Sequence, residues 1–158
     1  MMISEALAGL LNQQIVHEFR ASQVYLGMSV YCAGLNLDGW ASFFERQSGE
    51  EREHALKIVR FLSEAGAPVA LEAIPEAATR YGSLLEAVSK SLEYERKVSD
   101  GFRVMARVAQ EHHDHTGYGF LQWFLEEQIE EENTFARLAA VLESGLNPFQ
   151  AETLLPKG

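Results

Sequence analysis

Apolar residues recur along the chain at the three-to-four-residue spacing of an amphipathic helix, and nowhere in the two-residue alternation of a strand. Four long stretches carry the pattern. The first spans about Ser4 to Ala33, with Leu7, Leu11, Ile15, Tyr25 and Met28 on its stripe, and Gly34 is placed to end it in a left-handed cap. The second begins at Asp38, a side chain suited to an N-cap, carries Phe43, Phe44, Ile58 and Leu62, and ends at Gly66 with Pro68 beyond. Ser83-Leu84-Leu85-Glu86 has the form of a capping box and opens a third helix that runs to about His112. The fourth runs from about Thr116 to Ser144-Gly145, and Asn147-Pro148 starts a short tail helix over about 148–155.

Only a few residues join the first helix to the second and the third to the fourth, so each pair is expected to form an antiparallel hairpin. Residues 67–82, with Pro68 and Pro75, form a longer connection between the hairpins. A helix of about 28 residues is roughly 42 Å long, and about 16 extended residues reach roughly 50 Å. The connection can therefore run the length of a bundle. The expected fold is all-α: one domain over 1–158, with a four-helix bundle at about 4–145, one long crossover and a short C-terminal helix. So short a tail is marginal alone in water; Phe149, Leu154 and Leu155 are expected to dock it at an interface between subunits.

The chain's 158 residues, 47% apolar and 23% charged, suit one globular domain with its own core. The single cysteine, Cys32, excludes an internal disulfide and any multi-cysteine metal site, and is expected to pack near a helix end. No apolar run is long enough for a bilayer and no leader precedes Ser4, so no membrane partner and a cytoplasmic location are expected. A net charge of −10 argues against nucleic acid and favours cations.

Against this background the stretch "GEEREHALKIV" at 49–59 is anomalous. Glu51 falls in line with Phe44 and Ile58, one heptad to either side, and His54 follows one turn later. Glu18 lies likewise between Leu11 and Tyr25, Glu95 between Val88 and Phe102, and Glu131 between Phe124 and Leu138. Residues seven apart share a helix face, and each of these glutamates is near the middle of its helix, where antiparallel helices stand at the same height. The four carboxylates and His54 are therefore expected to converge in one buried layer. One glutamate on a helix is ordinarily solvated; four centred on apolar stripes in four helices is a pattern. Burying them needs protonation or a bound cation, and oxygen and imidazole donors suit iron, manganese or zinc, two of which could share a bridging glutamate.

The stretches "HEFRASQVYLGMSVYC", "GEEREHALKIVRFL" and "FLQWFLEEQIEEENTF" resemble the first, second and fourth helices of non-haem bacterial ferritins, over nearly the whole chain. The general di-iron pattern has a second Glu-x-x-His on the fourth helix. Here Gln128-x-x-Glu131 stands there instead, as in ferritin proper rather than bacterioferritins or rubrerythrin-like proteins. Arg52 occupies the place of a haem-ligating methionine, so no haem is expected. The resemblance implies a first iron site of Glu18, Glu51 and His54 with Gln128 close by, and a second of Glu95 and Glu131, bridged to the first by Glu51. Tyr25 matches a tyrosine beside the centre, where it gives an electron or hydrogen-bonds a ligand; an aromatic core filler with a satisfied hydroxyl is the other reading. Glu50, Glu127 and Glu130 match a third iron site of some bacterial ferritins, or are plain surface carboxylates.

The function implied is a ferroxidase and iron store: Fe²⁺ is oxidised by O₂ or hydrogen peroxide, and Fe³⁺ mineral collects inside a homo-oligomeric shell of 24 subunits. The alternatives are a non-storage di-iron peroxidase or oxygenase, which usually carries the second histidine missing here, and a non-enzymatic bundle whose glutamates pair with lysine or arginine. His112, His113 and His115 read as a solvated turn, His17 as a surface residue, and Trp40 and Trp123 as packing.

Overall fold

The computed structural model describes residues 1–158. They form α1 (Glu5–Gly34), α2 (Asp38–Glu64), α3 (Leu84–Glu111), α4 (His115–Glu143) and a short α5 (Pro148–Ala151), which runs into a 3₁₀ turn at Glu152–Leu154. There is no strand, as the hydrophobic spacing requires. α1 packs along α2 and α3 along α4, giving two hairpins that face each other.

Side-chain caps set most helix starts. Ser4 Oγ accepts from the Leu7 amide at 3.2 Å and Ser83 Oγ from that of Glu86 at 3.0 Å. Asp114 caps α4 by accepting from the Gly117 amide at 2.8 Å, and its other oxygen accepts from the Ser4 amide at 2.9 Å, tying the start of α4 to that of α1. Two expectations fail here. Gly34 lies inside α1, and the left-handed residue after the helix is Asn36 (φ 59°), a side chain that tolerates that region. Asp38 is the first helical residue of α2 rather than its cap; Leu37 stands at the cap position and offers no side-chain acceptor.

The missing cap comes from the tail. Glu152 Oε1 accepts from the amides of Gly39 at 2.9 Å and Trp40 at 3.4 Å, and the Trp40 indole donates to the Pro148 carbonyl at 2.9 Å. Ala151 is buried and Leu155 half-buried against the same core. The tail is thus folded onto its own bundle, and two of the side chains expected to dock it, Phe149 and Leu154, remain 57% and 41% exposed.

Residues 67–82 do run lengthwise, along α1. Asn12 donates to the Pro68 carbonyl at 2.9 Å and accepts from the Ala70 amide at 2.7 Å; farther on, Gln23 donates to the Pro75 carbonyl at 3.2 Å. At Gly27 the strap comes so close that a Cβ would collide with the Ala78 carbonyl.

Two apolar clusters fill the bundle. Leu7, Leu11, Ile15, Ile58, Leu62, Phe102 and Phe124 belong to one, and Tyr25, Met28, Trp40, Phe44, Val88, Phe135 and Leu138 to the other. On each of the four long helices the two sets lie on opposite sides of one buried glutamate. Cys32 is fully buried in the second cluster, near the end of α1.

Loss of an N-cap side chain costs about 0.5–2 kcal/mol. Glu152→Ala is expected to lower the melting temperature by about 1–8 °C and to speed hydrogen exchange at the Gly39 and Trp40 amides. Unchanged exchange at both amides would show that the tail does not cap α2.

Candidate metal centre

Glu18 on α1, Glu51 and His54 on α2, Glu95 on α3 and Glu131 on α4 are all between 1% and 6% exposed. Each owes its depth to the apolar stripe on which it sits. Together they form two groups with ligand atoms within 4.8 Å of one another: Glu18, Glu51 and His54 in one, and Glu51, Glu95 and Glu131 in the other. Glu51 belongs to both. The three-residue separation of Glu51 and His54 puts them on one face of α2, with His54 Nδ1 3.2 Å from Glu51 Oε2 and 3.7 Å from Glu18 Oε2.

A third group joins Glu50, Glu127 and Glu131, with burial decreasing from Glu131 through the half-buried Glu127 to the exposed Glu50. Glu130 was the expected third member. It is exposed and lies outside the group, which Glu131 completes instead, although its charge still reaches Glu127. Residues 130 and 131 are a helical step of about 100° apart, and the inward one can serve both directions.

No lysine or arginine pairs with any of the four buried carboxylates; their only ion-pair partner is His54. Neutral donors hold three of them instead. Gln14 donates to Glu18 at 3.1 Å, Gln47 to Glu131 at 2.8 Å, and Tyr25 to Glu95 at 2.5 Å. Gln128, which the resemblance puts beside the first site, makes its contacts with the second, donating to Glu95 Oε2 at 2.9 Å and to the Glu95 carbonyl at 3.2 Å. Glu18 Oε2 and Glu51 Oε1 are buried without a hydrogen-bond partner, His54 Nδ1 lying 3.7 Å from the first. Two orphaned carboxylate oxygens beside an imidazole fit a metal ion, which supplies the missing charge.

Gln14 and Gln47 escaped the reading of the sequence. Each stands four residues before a buried glutamate, one turn away on the same stripe, and that polar interruption was the available sign. Trp123 packs edge-on to His54 with centroids 5.4 Å apart and carries Lys57 over its face at 3.5 Å. Trp40 is core. His17, His112, His113 and His115 are exposed, and none joins a converging group of ligand atoms.

Crowded carboxylates shift one another's protonation. Burial, then the charges of Glu18 and its neighbours, pushes Glu51 well above the usual range. Glu95 is raised by burial, against the hydrogen bonds from Tyr25 and Gln128. Burial and the Glu95 charge push Glu131 up to about 8. For Glu18, burial is outweighed by its interactions with Glu51, His54 and Gln14, so it ionises more readily than usual. Burial works against charging His54, but Glu18 overcomes it and raises the imidazole. Tyr25 is held well above its normal range by burial and then by Glu95, so its phenol stays a donor.

The layer's two sides differ. Between α1 and α3 lies a cavity of about 570 Å³ reached by Gln14, Tyr25, Met28 and Val98, with no carboxylate in its wall. The α2–α4 side carries Glu50, Glu127 and Glu130.

Fold and layer together define a four-helix bundle with a buried carboxylate–imidazole centre of the metal-holding kind. A family model, the ferritin-like domain, matches residues 8–144. The bacterial non-heme ferritin of Staphylococcus haemolyticus is 37% identical over 134 residues, 85% of this chain and 81% of that protein, and its Staphylococcus aureus counterpart is 36% identical over the same share. Two crystal structures of the open pore ferritin from the archaeon Archaeoglobus fulgidus superpose with TM-scores of 0.87 and 0.91. They are 33% and 32% identical, covering 90% and 96% of this chain and 87% and 94% of those chains. The chain belongs to the ferritin family.

The raised carboxyls set a pH dependence. Glu131, ordinarily near 4.5 and about 8 in the fold, holds a proton between those values that the unfolded chain has released. Its stabilising effect is complete below the lower value and is lost as pH rises through the upper. Glu51 and Glu95 act in the same direction. The metal-free protein is expected to melt at progressively lower temperature as pH rises across that window, with Glu131→Gln flattening the slope. A melting temperature independent of pH there would contradict these shifts.

Proposed function

We propose that the protein is a ferroxidase and iron store. It binds Fe²⁺ as substrate in the buried layer, passes the electrons to O₂ or hydrogen peroxide, and deposits Fe³⁺ mineral inside a homo-oligomeric shell. Twenty-four subunits is the number the family resemblance implies. The observation that carries this reading is the convergence of four buried glutamates and His54, two of whose carboxylate oxygens lack a hydrogen bond, in a layer with no lysine or arginine. No helix is long and apolar enough to cross a membrane, which agrees with work in the cytoplasm.

Each side chain has a task. Glu18, Glu51 and His54 hold one ion, Glu95 and Glu131 a second, and Glu51 joins them. His54 and the protonated glutamates release protons as metal enters, since ligands must be deprotonated. Carboxylate oxygens are hard donors and favour Fe³⁺ over Fe²⁺, so the ligand set itself assists oxidation. Tyr25 fixes Glu95 through its phenol and stands within the layer as a source of one electron. Gln128 orients the same carboxylate from the other side. Glu50, Glu127 and Glu131 form an outer site on the α2–α4 side, with Glu130 next to it, and product leaves the buried pair in that direction.

Glu51→Ala removes a ligand from both sites. Fe²⁺ oxidation in stopped flow is expected to slow at least about a hundredfold, beyond the usual cost of losing a residue that only supports a ligand. The metal-free variant should melt no lower than the parent, because carboxylate repulsion is relieved. A wild-type oxidation rate would show that the centre lies elsewhere.

The outer site predicts a different pattern. Glu127→Ala is expected to leave the first fast round of oxidation intact and to slow later rounds, and Glu130→Ala to do the same more weakly. Identical kinetics for Glu127→Ala through repeated Fe²⁺ additions would return these residues to the solvated surface.

A further inference from the structure

Glu131 is the one residue shared by the inner group with Glu51 and Glu95 and the outer group with Glu50 and Glu127. Its side chain is held from across the bundle. Gln47 on α2 is buried, and its amide nitrogen donates to Glu131 Oε2 on α4 at 2.8 Å, the sole side-chain hydrogen bond it makes. Gln47 lies one turn before Glu50 and Glu51, so the residue that holds Glu131 rides on the same helix turn as its partners in both groups.

We infer that Gln47 is a positioning residue for metal binding, holding Glu131 where it serves the buried pair and the outer cluster alike. This rests on the reading of the layer as a metal centre. An amide suits the task because it is neutral. A lysine or arginine at 47 would satisfy Glu131 with charge and compete with the metal, and a glutamate would add one more carboxylate to the layer. The amide occupies Oε2 and leaves Oε1 unencumbered. Without it, a carboxylate on a three-torsion stem must be ordered by the metal itself, and that ordering entropy comes out of the binding free energy.

Co²⁺, a divalent ion with a visible spectrum, tests this in the full-length metal-free protein by spectroscopic and calorimetric titration. Gln47→Met keeps length and bulk without the donor, and Gln47→Asn keeps the amide but withdraws it by one methylene. Both are expected to weaken the binding classes that depend on Glu131 by about tenfold, the scale of one hydrogen bond to a charged group. The class that depends on Glu18, Glu51 and His54 should keep its affinity. In a Glu131→Ala background Gln47→Met should change nothing further, because a residue that acts through Glu131 has nothing left to position. Equal Co²⁺ affinities in wild type and Gln47→Met, or the same further loss in the Glu131→Ala background, would overturn the inference. Glu51→Ala separates the two levels: if it binds Co²⁺ as tightly as wild type, the metal-centre reading itself falls.

Discussion

Four carboxyl groups and one imidazole share the interior of this bundle with no lysine or arginine among them. Isolated buried charges of that kind are costly enough that a protein normally neutralises them by proton uptake or by a counter-ion. Both routes are built into this layer. Glu51, Glu95 and Glu131 tend to hold protons, and the orphaned oxygens of Glu18 and Glu51 are positioned for a cation. The two apolar clusters on either side keep the residues in place while the layer remains electrostatically unfinished. Metal uptake and relief of that tension are one event.

The donors around the layer explain how it stays open to metal without collapsing. Amides and a phenol orient the carboxylates while adding no charge, so Gln14, Gln47, Gln128 and Tyr25 organise the site without neutralising it. The surroundings are polarised as well. The α2–α4 side grades from buried through half-buried to exposed carboxylates, while the α1–α3 side opens on a cavity without acids. The acidic ligand atoms therefore extend outward from the layer on one side only.

Most of the architecture was legible because helix periodicity and the unequal connections leave few alternatives. The buried glutamates were legible for the same reason: a charge in register with phenylalanine and leucine is conspicuous. The details that escaped depend on contacts between residues remote in sequence. Asp38 has the right chemistry for a cap, yet the acceptor comes from Glu152, which no local pattern could indicate. Glu130 and Glu131 are adjacent and alike, and only the rotation of α4 decides which completes the outer group. Gln47 and Gln128 reach across to neighbouring helices, and a single sequence does not encode those distances.

The cap on α2 also ties together parts of the chain that lie far apart in sequence. The residue that closes the amino end of α2 is remote in sequence, for Glu152 lies 113 positions after Gly39. The amides of Gly39 and Trp40 and the Trp40 indole all find their acceptors in that distant segment. The tail thus closes the amino end of the very helix that carries Glu51 and His54, so a change near Pro148 or Glu152 is felt first at the start of α2.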